Sequence, residues 1–89
     1  MSAEFMNQEP FESIDGFNAF GKPVSFERRL RADEHLVTMG VTDTSIRFAT
    51  IQAMANAIER DKPYEAMSEG MRSVDLTGTY RLLAVLCTG

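Results

Sequence analysis

The stretch that follows Thr42 constrains the fold more than any other part of this sequence. Apolar side chains recur there at spacings of three and four residues, which is the period of one face of an α-helix. They are Phe48, Ile51, Ala55 and Ile58. Residue types that favour helix N-caps, Thr42–Ser45, come directly before them. The sequence therefore predicts a main helix over 44–61 and a short second helix that begins at Pro63, where proline is tolerated in the first turn.

The residues before this helix allow two interpretations. Apolar and polar side chains alternate over 24–30 and again over 35–41, which is typical of half-buried strands. A single helix over 26–39 competes with this, because Ser25 is suited to an N-cap and Gly40 to a helix end. We predict a β-hairpin or meander here and keep the helix as the alternative.

The last apolar stretch, Thr79–Cys87, follows a break at Gly78. Beyond Arg81 both alternating faces are apolar, so a strand would be buried on both sides and a helix would be buried all round. We predict a central strand that pairs with the hairpin. The predicted fold class is therefore α+β: a single domain over 21–89 in which an antiparallel sheet packs on one long and one short helix.

The first 20 residues differ from the rest of the chain in charge and in aromatic content. The chain has 13 acidic and 9 basic residues, and its formal net charge is −4. Residues 1–20, which we call the acidic aromatic arm, hold no Lys or Arg. Their acids are Glu4, Glu9, Glu12 and Asp15, and their phenylalanines are Phe5, Phe11, Phe17 and Phe20. Because solvated tails are normally poor in aromatics, these rings either fold back onto the core or anchor a partner, with the carboxylates steering the arm toward a basic surface.

The residue types of catalytic and metal chemistry are sparse. One cysteine and one histidine exclude an internal disulfide, a Cys-rich zinc site and a multi-histidine metal site. Cys87 lies in an apolar run, where burial raises the pKa of a thiol, so we do not expect it to form a nucleophile–base pair with His35. The sequence has no glycine-rich phosphate loop. We therefore predict no enzymatic activity, no cofactor and no metal.

Apolar runs in this sequence are short. The longest, Leu82–Cys87, has six residues, far below the length that spans a bilayer. The N-terminal residues carry acids where a signal peptide carries bases. We expect a cytoplasmic domain with no membrane partner.

The segment 36–49 resembles the helix-turn-helix motif of DNA-binding proteins. Gly40 would lie in the turn, and Val41 and Ile46 at buried positions. Arg47, near the start of the recognition helix, is the side chain suited to a base or phosphate contact. The resemblance implies a small, helical DNA-binding regulator. The charge balance argues against a nucleic-acid partner, because phosphate contacts need clustered Lys and Arg, so this function is the alternative prediction.

By elimination, the main prediction is a small non-catalytic protein-binding module. It would act as a regulator, an inhibitor or an accessory subunit, including the counter-defence factors that phages carry. The partner would be another protein, and a homodimer is a variant of this prediction because the arm and an arginine-rich strand edge are complementary within one sequence. The predicted contacts are Phe5, Glu9, Phe11, Glu12 and Asp15 in the arm, and Arg28, Arg29 and Arg31 on the outer face of the second strand. In a second interpretation the arginines pair with nearby acids on a solvated face.

Overall fold

Four helices make up the part of the chain that the structure describes. The structure is a computed structural model that describes residues 19–88. Its helices are α1 (Phe26–Thr38), α2 (Thr44–Glu59), α3 (Pro63–Gly70) and α4 (Leu76–Cys87). α1 packs on α2, α2 on α3, α3 on α4 and α4 on α1, so the helices close a ring around one apolar core.

The predicted α+β fold is wrong. Residues 19–88 contain no strand and no sheet: the predicted hairpin is α1, and the predicted C-terminal strand is α4. The competing interpretation of a helix over 26–39 is correct. Arg28, Arg29 and Arg31 therefore lie on a helix and not on the outer face of a strand.

Capping and core spacing make α1 a helix. The Ser25 hydroxyl accepts a hydrogen bond from the Arg28 N–H at 3.2 Å, as an N-cap does. Ala32 and Leu36 are fully buried and one turn apart, so they face the core together. Gly40 has a φ of +93°, the left-handed conformation that commonly follows the end of a helix. In this stretch of good helix formers, the four-residue spacing of core contacts outweighs the two-residue alternation.

α4 is apolar on all sides because other helices surround it, and not because it is a buried strand as the sequence predicted. α4 contacts all three other helices, so it needs apolar side chains on several of its sides. Leu82, Leu83 and Leu86 are completely buried as a result. Asp75 caps the start of α4 by accepting a hydrogen bond from the Gly78 N–H at 2.8 Å. A buried strand and a surrounded helix share this sequence pattern, and periodicity alone does not separate them.

The predictions for α2 and α3 are confirmed. α2 begins at Thr44 with Asp43 as its N-cap, and α3 begins at Pro63. α2 ends at Glu59, slightly before the predicted end, and Asp61 then turns the chain with a positive φ of 59°. The N-cap residues before α2 and the proline at the start of α3 were sufficient to predict where these two helices begin.

Gly70, at the end of α3, allows a close approach between helices. A Cβ atom at this position would lie 2.6 Å from Thr79 Cγ2 on α4 and 2.9 Å from Met54 Sδ on α2. Any larger residue would push these side chains away. Gly70 therefore brings α3 close to α2 and α4 in the core.

Candidate functional site

An open groove of about 370 Å³ lies between α1 and α2. The side chains that line this α1–α2 groove include Phe26 and Leu30 on α1, and Thr44, Phe48, Ile51 and Gln52 on α2. Phe26 is 72% exposed, Phe48 is 68% exposed and Leu30 is 47% exposed, so aromatic and aliphatic surface faces solvent directly. Single exposed apolar residues are normal on proteins, whereas a contiguous set indicates a contact surface.

Two ion pairs join the walls of the α1–α2 groove. Arg29 of α1 binds Glu59 of α2, with 3.0 Å between Nη2 and Oε2. In the second pair the arginine comes from the other helix: Arg47 of α2 binds Asp33 of α1, with 2.7 Å between Nε and Oδ1. The start of α1 thus faces the end of α2, so the two helices are antiparallel. Because the pairs hold the walls at a set distance, the groove is preformed.

Both arginines also hold the chain segments that flank the groove. Arg29 Nε donates to the Val24 carbonyl at 3.2 Å, and the Val24 N–H donates to Glu59 Oε2 at 2.9 Å. Arg47 Nη1 donates to the Val41 carbonyl at 3.0 Å. These bonds fasten the residues that enter α1, and the turn between α1 and α2, to the helices themselves. Arg29 and Arg47 are therefore engaged in building the site.

The three predicted contact arginines lie on different sides of α1. Arg29 faces α2 through its ion pair. Arg28 lies near Cys87, and Arg31 Nη2 is 3.5 Å from the Thr88 carbonyl oxygen, so both are close to the C-terminal end of α4. Arg28 and Arg31 form no ion pair with any carboxylate of residues 19–88. The structure thus brings these two together and separates Arg29 from them.

The five predicted contacts in the acidic aromatic arm lie outside the described residues. They are Phe5, Glu9, Phe11, Glu12 and Asp15. The described chain starts at Ala19, which is buried, and the Gly21 N–H donates to the Ile58 carbonyl at 2.6 Å. The arm therefore meets the helical domain beside the last turn of α2.

The thiol of Cys87 is not activated by its surroundings in the described structure. Burial at the end of α4 raises the pKa of Cys87 to about 11, and the nearby Arg28 guanidinium opposes part of that rise. The thiol is therefore protonated at neutral pH, and a protonated thiol is a poor nucleophile. His35 Nε2 is buried and has no hydrogen-bond partner among residues 19–88.

The rest of the described surface offers fewer apolar contacts than the α1–α2 groove. A polar depression of about 410 Å³ lies between α2 and α3, and the Arg60–Glu65 and Arg72–Glu69 ion pairs line it. Over residues 19–88, no three His, Cys, Asp or Glu side chains are placed to hold a metal ion. No helix in the same range is both long and apolar enough to cross a membrane.

Sequence reasoning missed Phe26, Leu30 and Phe48 as a joint surface. The strand prediction placed Phe26 and Leu30 on a buried face, and the helix prediction placed Phe48 on the core side of α2. The helical alternative for α1 contained the signal, because Phe26 and Leu30 are one turn apart and on a different side from the core pair Ala32 and Leu36.

Comparison of the chain with family models, with curated proteins and with solved structures finds no match.

Proposed function

We propose that this protein is a non-catalytic protein-binding module that acts as a regulator, an inhibitor or an accessory subunit, and that the α1–α2 groove binds its partner. The observation that carries this proposal is the contiguous exposure of Phe26, Leu30 and Phe48 in one preformed groove. Exposed apolar patches are typical of protein–protein contact sites, and aromatic side chains are enriched among the residues that dominate binding energy.

The shape of the groove suits an amphipathic helix of the partner. Its walls are two antiparallel helices, and a third helix can lie between them with apolar side chains three and four residues apart directed inward. Thr44 and Gln52 add polar groups to the lining. Because two ion pairs already hold the walls in place, little ordering is needed when a partner binds, which favours affinity.

The acidic aromatic arm is a second proposed contact with the partner. Its proposed anchors are Phe5 and Phe11, and its proposed steering groups are Glu9, Glu12 and Asp15. On the helical domain, Arg28 and Arg31 would contact acidic groups, because no described carboxylate pairs with them. Arg29 would act through its bond to Glu59, which shapes the groove.

Serine substitutions at matched exposed rings test the groove. Phe48→Ser removes an exposed ring without opening the core, so the fold should survive while capture of the partner from a lysate of the source organism is lost. Tyr64→Ser is the control, because Tyr64 is 67% exposed and lies on α3 outside the groove. Mass spectrometry identifies proteins that wild type and Tyr64→Ser retain and Phe48→Ser does not.

The identified partner is then purified and its affinity measured. We expect Phe48→Ser to weaken binding about 30-fold, which corresponds to about 2 kcal/mol for a side chain that dominates an interface. Circular dichroism and melting temperature show whether the three proteins share one fold. Equal affinities of Phe48→Ser and wild type, with the fold intact, would overturn the proposed surface.

DNA binding through a helix-turn-helix is the second candidate function. The described region is all-helical, with Gly40 in the turn between α1 and α2, which is the arrangement that this candidate requires. Its contact residue is engaged elsewhere, since the Arg47 side chain is 13% exposed and bound to Asp33. The first turns of α2 expose Ile46 and Phe48, which are apolar. Binding to duplex DNA that weakens steeply with salt would favour this candidate over protein binding.

A further inference from the structure

We propose that the partner segment bound in the α1–α2 groove is a basic amphipathic helix, whose Lys or Arg side chains contact Glu27 and Glu34 on α1. The inference rests on the groove being the binding surface proposed above, and it adds the charge of the partner. The position of the two glutamates, the pairing of the other charges along the groove and the net charge of the chain all favour a basic occupant.

Glu27 and Glu34 lie along one edge of the groove. Leu30 lines the groove, and the two glutamates come three residues before it and four residues after it on α1. Residues at these spacings are neighbours on the surface of a helix. Arg29 and Asp33 form the ion pairs to α2, so the glutamates lie on the other side of Leu30, away from α2. Both glutamates are exposed to solvent.

The two glutamates are unpaired within residues 19–88, where neither forms an ion pair. Among the arginines of the same helix, Arg28 and Arg31 lie beside the C-terminal end of α4, and Arg29 is bound to a carboxylate of α2. Glu27 and Glu34 therefore present negative charge that no described side chain neutralises by direct contact.

The rest of the groove adds little net charge to this edge. Each of the two ion pairs that join the walls combines one positive and one negative side chain. The polar side chains that α2 contributes to the lining, Thr44 and Gln52, are uncharged. A partner therefore meets apolar surface in the middle of the groove, uncharged polar groups on the α2 side and two carboxylates on the α1 side.

The spacing of the glutamates fits a helix that lies along the groove. Glu27 and Glu34 are seven residues apart, which is two helical turns and about 10.5 Å along the axis of α1. A partner helix that runs along the groove places its own side chains at the same distance when they are seven residues apart. Two basic residues at that spacing, beside an apolar stripe, can contact both carboxylates at once.

The charge of the whole chain has the same sign as this edge. The formal net charge is −4, and a negative protein attracts a basic partner before contact and raises the association rate. Contacts to exposed carboxylates each add little to affinity, but they select against an acidic partner. The apolar middle of the groove thus supplies affinity, and its acidic edge supplies selectivity.

Two helical peptides that differ in charge test the inference. Each is labelled with fluorescein and is about 18 residues long, enough for an alanine-rich helix to form. Both carry a leucine stripe along one face. One has lysines on both sides of the stripe, and the other has glutamates there. Fluorescence anisotropy measures their binding to the full-length protein. We expect the lysine peptide to bind about tenfold more tightly at low salt, and the difference to shrink at high salt.

Substitutions at the acidic edge show whether the two glutamates cause this preference. Glu27→Gln with Glu34→Gln should weaken binding of the lysine peptide about fivefold. Glu65→Gln with Glu69→Gln makes the same change in net charge on α3, outside the groove, and should keep the wild-type affinity. Glu27→Lys with Glu34→Lys should bind the glutamate peptide more tightly than wild type does, a gain that misfolding cannot produce.

The outcomes separate the inference from the proposed function. Equal binding of the two peptides to wild type, equal effects of the two glutamine variants, or no binding of either peptide would overturn the inference. Phe48→Ser tests the groove itself and should weaken binding of both peptides. If Phe48→Ser leaves both affinities unchanged, the peptides bind elsewhere, and the groove fails as the binding surface together with the inference.

Discussion

Glu59 accepts two hydrogen bonds through one carboxylate oxygen, from the Val24 N–H at 2.9 Å and from Arg29 Nη2 at 3.0 Å. This oxygen holds both the chain before α1 and the first turn of α1 against the end of α2. The Arg29 and Glu59 side chains are 26% and 32% exposed, so water screens their interaction less than that of a surface pair. The geometry of the α1–α2 groove therefore depends on this residue.

Glu59→Gln should lower the free energy of unfolding by about 1–2 kcal/mol, because it removes the charge that Arg29 and the Val24 N–H bind. Glu65→Gln is the matched control. The Arg60–Glu65 pair is 2.8 Å long but its side chains are 58% and 55% exposed, so its loss should cost less than about 0.5 kcal/mol. Urea denaturation measures both values. Equal effects would contradict a special role for Glu59 in the groove.

Among the elements, the two with distinct end signals were predictable from the sequence. α2 combines N-cap residues with apolar side chains at helical spacing, and α3 begins at Pro63. In α1, the alternation over 24–30 and the spacing of Ala32 and Leu36 support different structures, and packing against α4 decides between them. α4 is apolar all round, so it fits a buried strand equally well until its three helical neighbours are known.

The α1–α2 groove could not be predicted, because it exists only once two helices are placed side by side. Phe26 and Leu30 come from one helix and Phe48 from the other, and each is an ordinary apolar residue in its own segment. The sequence predicted an aromatic contact surface in the arm, and that prediction lies outside the described residues. Ion pairs between residues far apart in the sequence, such as Arg29–Glu59, hold the two walls of the groove together. No local sequence pattern predicts such pairs.

Gly70→Ala tests the close packing of α3 against its neighbours. Alanine is the better helix former by about 1 kcal/mol, yet its Cβ would lie 2.6 Å from Thr79 Cγ2. Overpacking a buried contact typically costs about 1–3 kcal/mol, so we expect a net loss of stability in thermal or urea unfolding. Adding Thr79→Ser removes the opposing methyl group and should restore part of the loss. A Gly70→Ala protein as stable as wild type would show that the helices separate easily here.

Across the whole molecule, charge and apolar surface are divided between the arm and the helical domain. Residues 1–20 hold four of the 13 acids and none of the 9 bases, so residues 21–89 carry nine of each sign. The domain is electrically balanced and has an apolar groove, and the arm is acidic and rich in phenylalanine. The acidic, aromatic segment and the exposed apolar groove therefore belong to different parts of the chain.

The stability of the chain distinguishes an arm on the surface from an arm in the core. We expect Phe5→Ala with Phe11→Ala to change the melting temperature little, because rings that serve as anchors for a partner do not contribute to the core of the free protein. Rings that belong to the core would instead cost about 3–5 kcal/mol each when truncated. Thermal unfolding followed by circular dichroism measures the difference. A large loss would place these rings in the core and contradict their proposed role as anchors for a partner.

The affinity of the same variant for the purified partner tests the proposed role of the arm as a partner contact. Aromatic side chains are enriched among the residues that dominate binding energy, so the loss of the Phe5 and Phe11 rings should weaken binding. We expect a loss of about tenfold in a calorimetric titration, which corresponds to about 1.4 kcal/mol. A control with Asn7→Ala and Ser13→Ala changes polar side chains of the same segment and should keep the wild-type affinity. An affinity of the phenylalanine variant equal to that of wild type would contradict the proposed anchors.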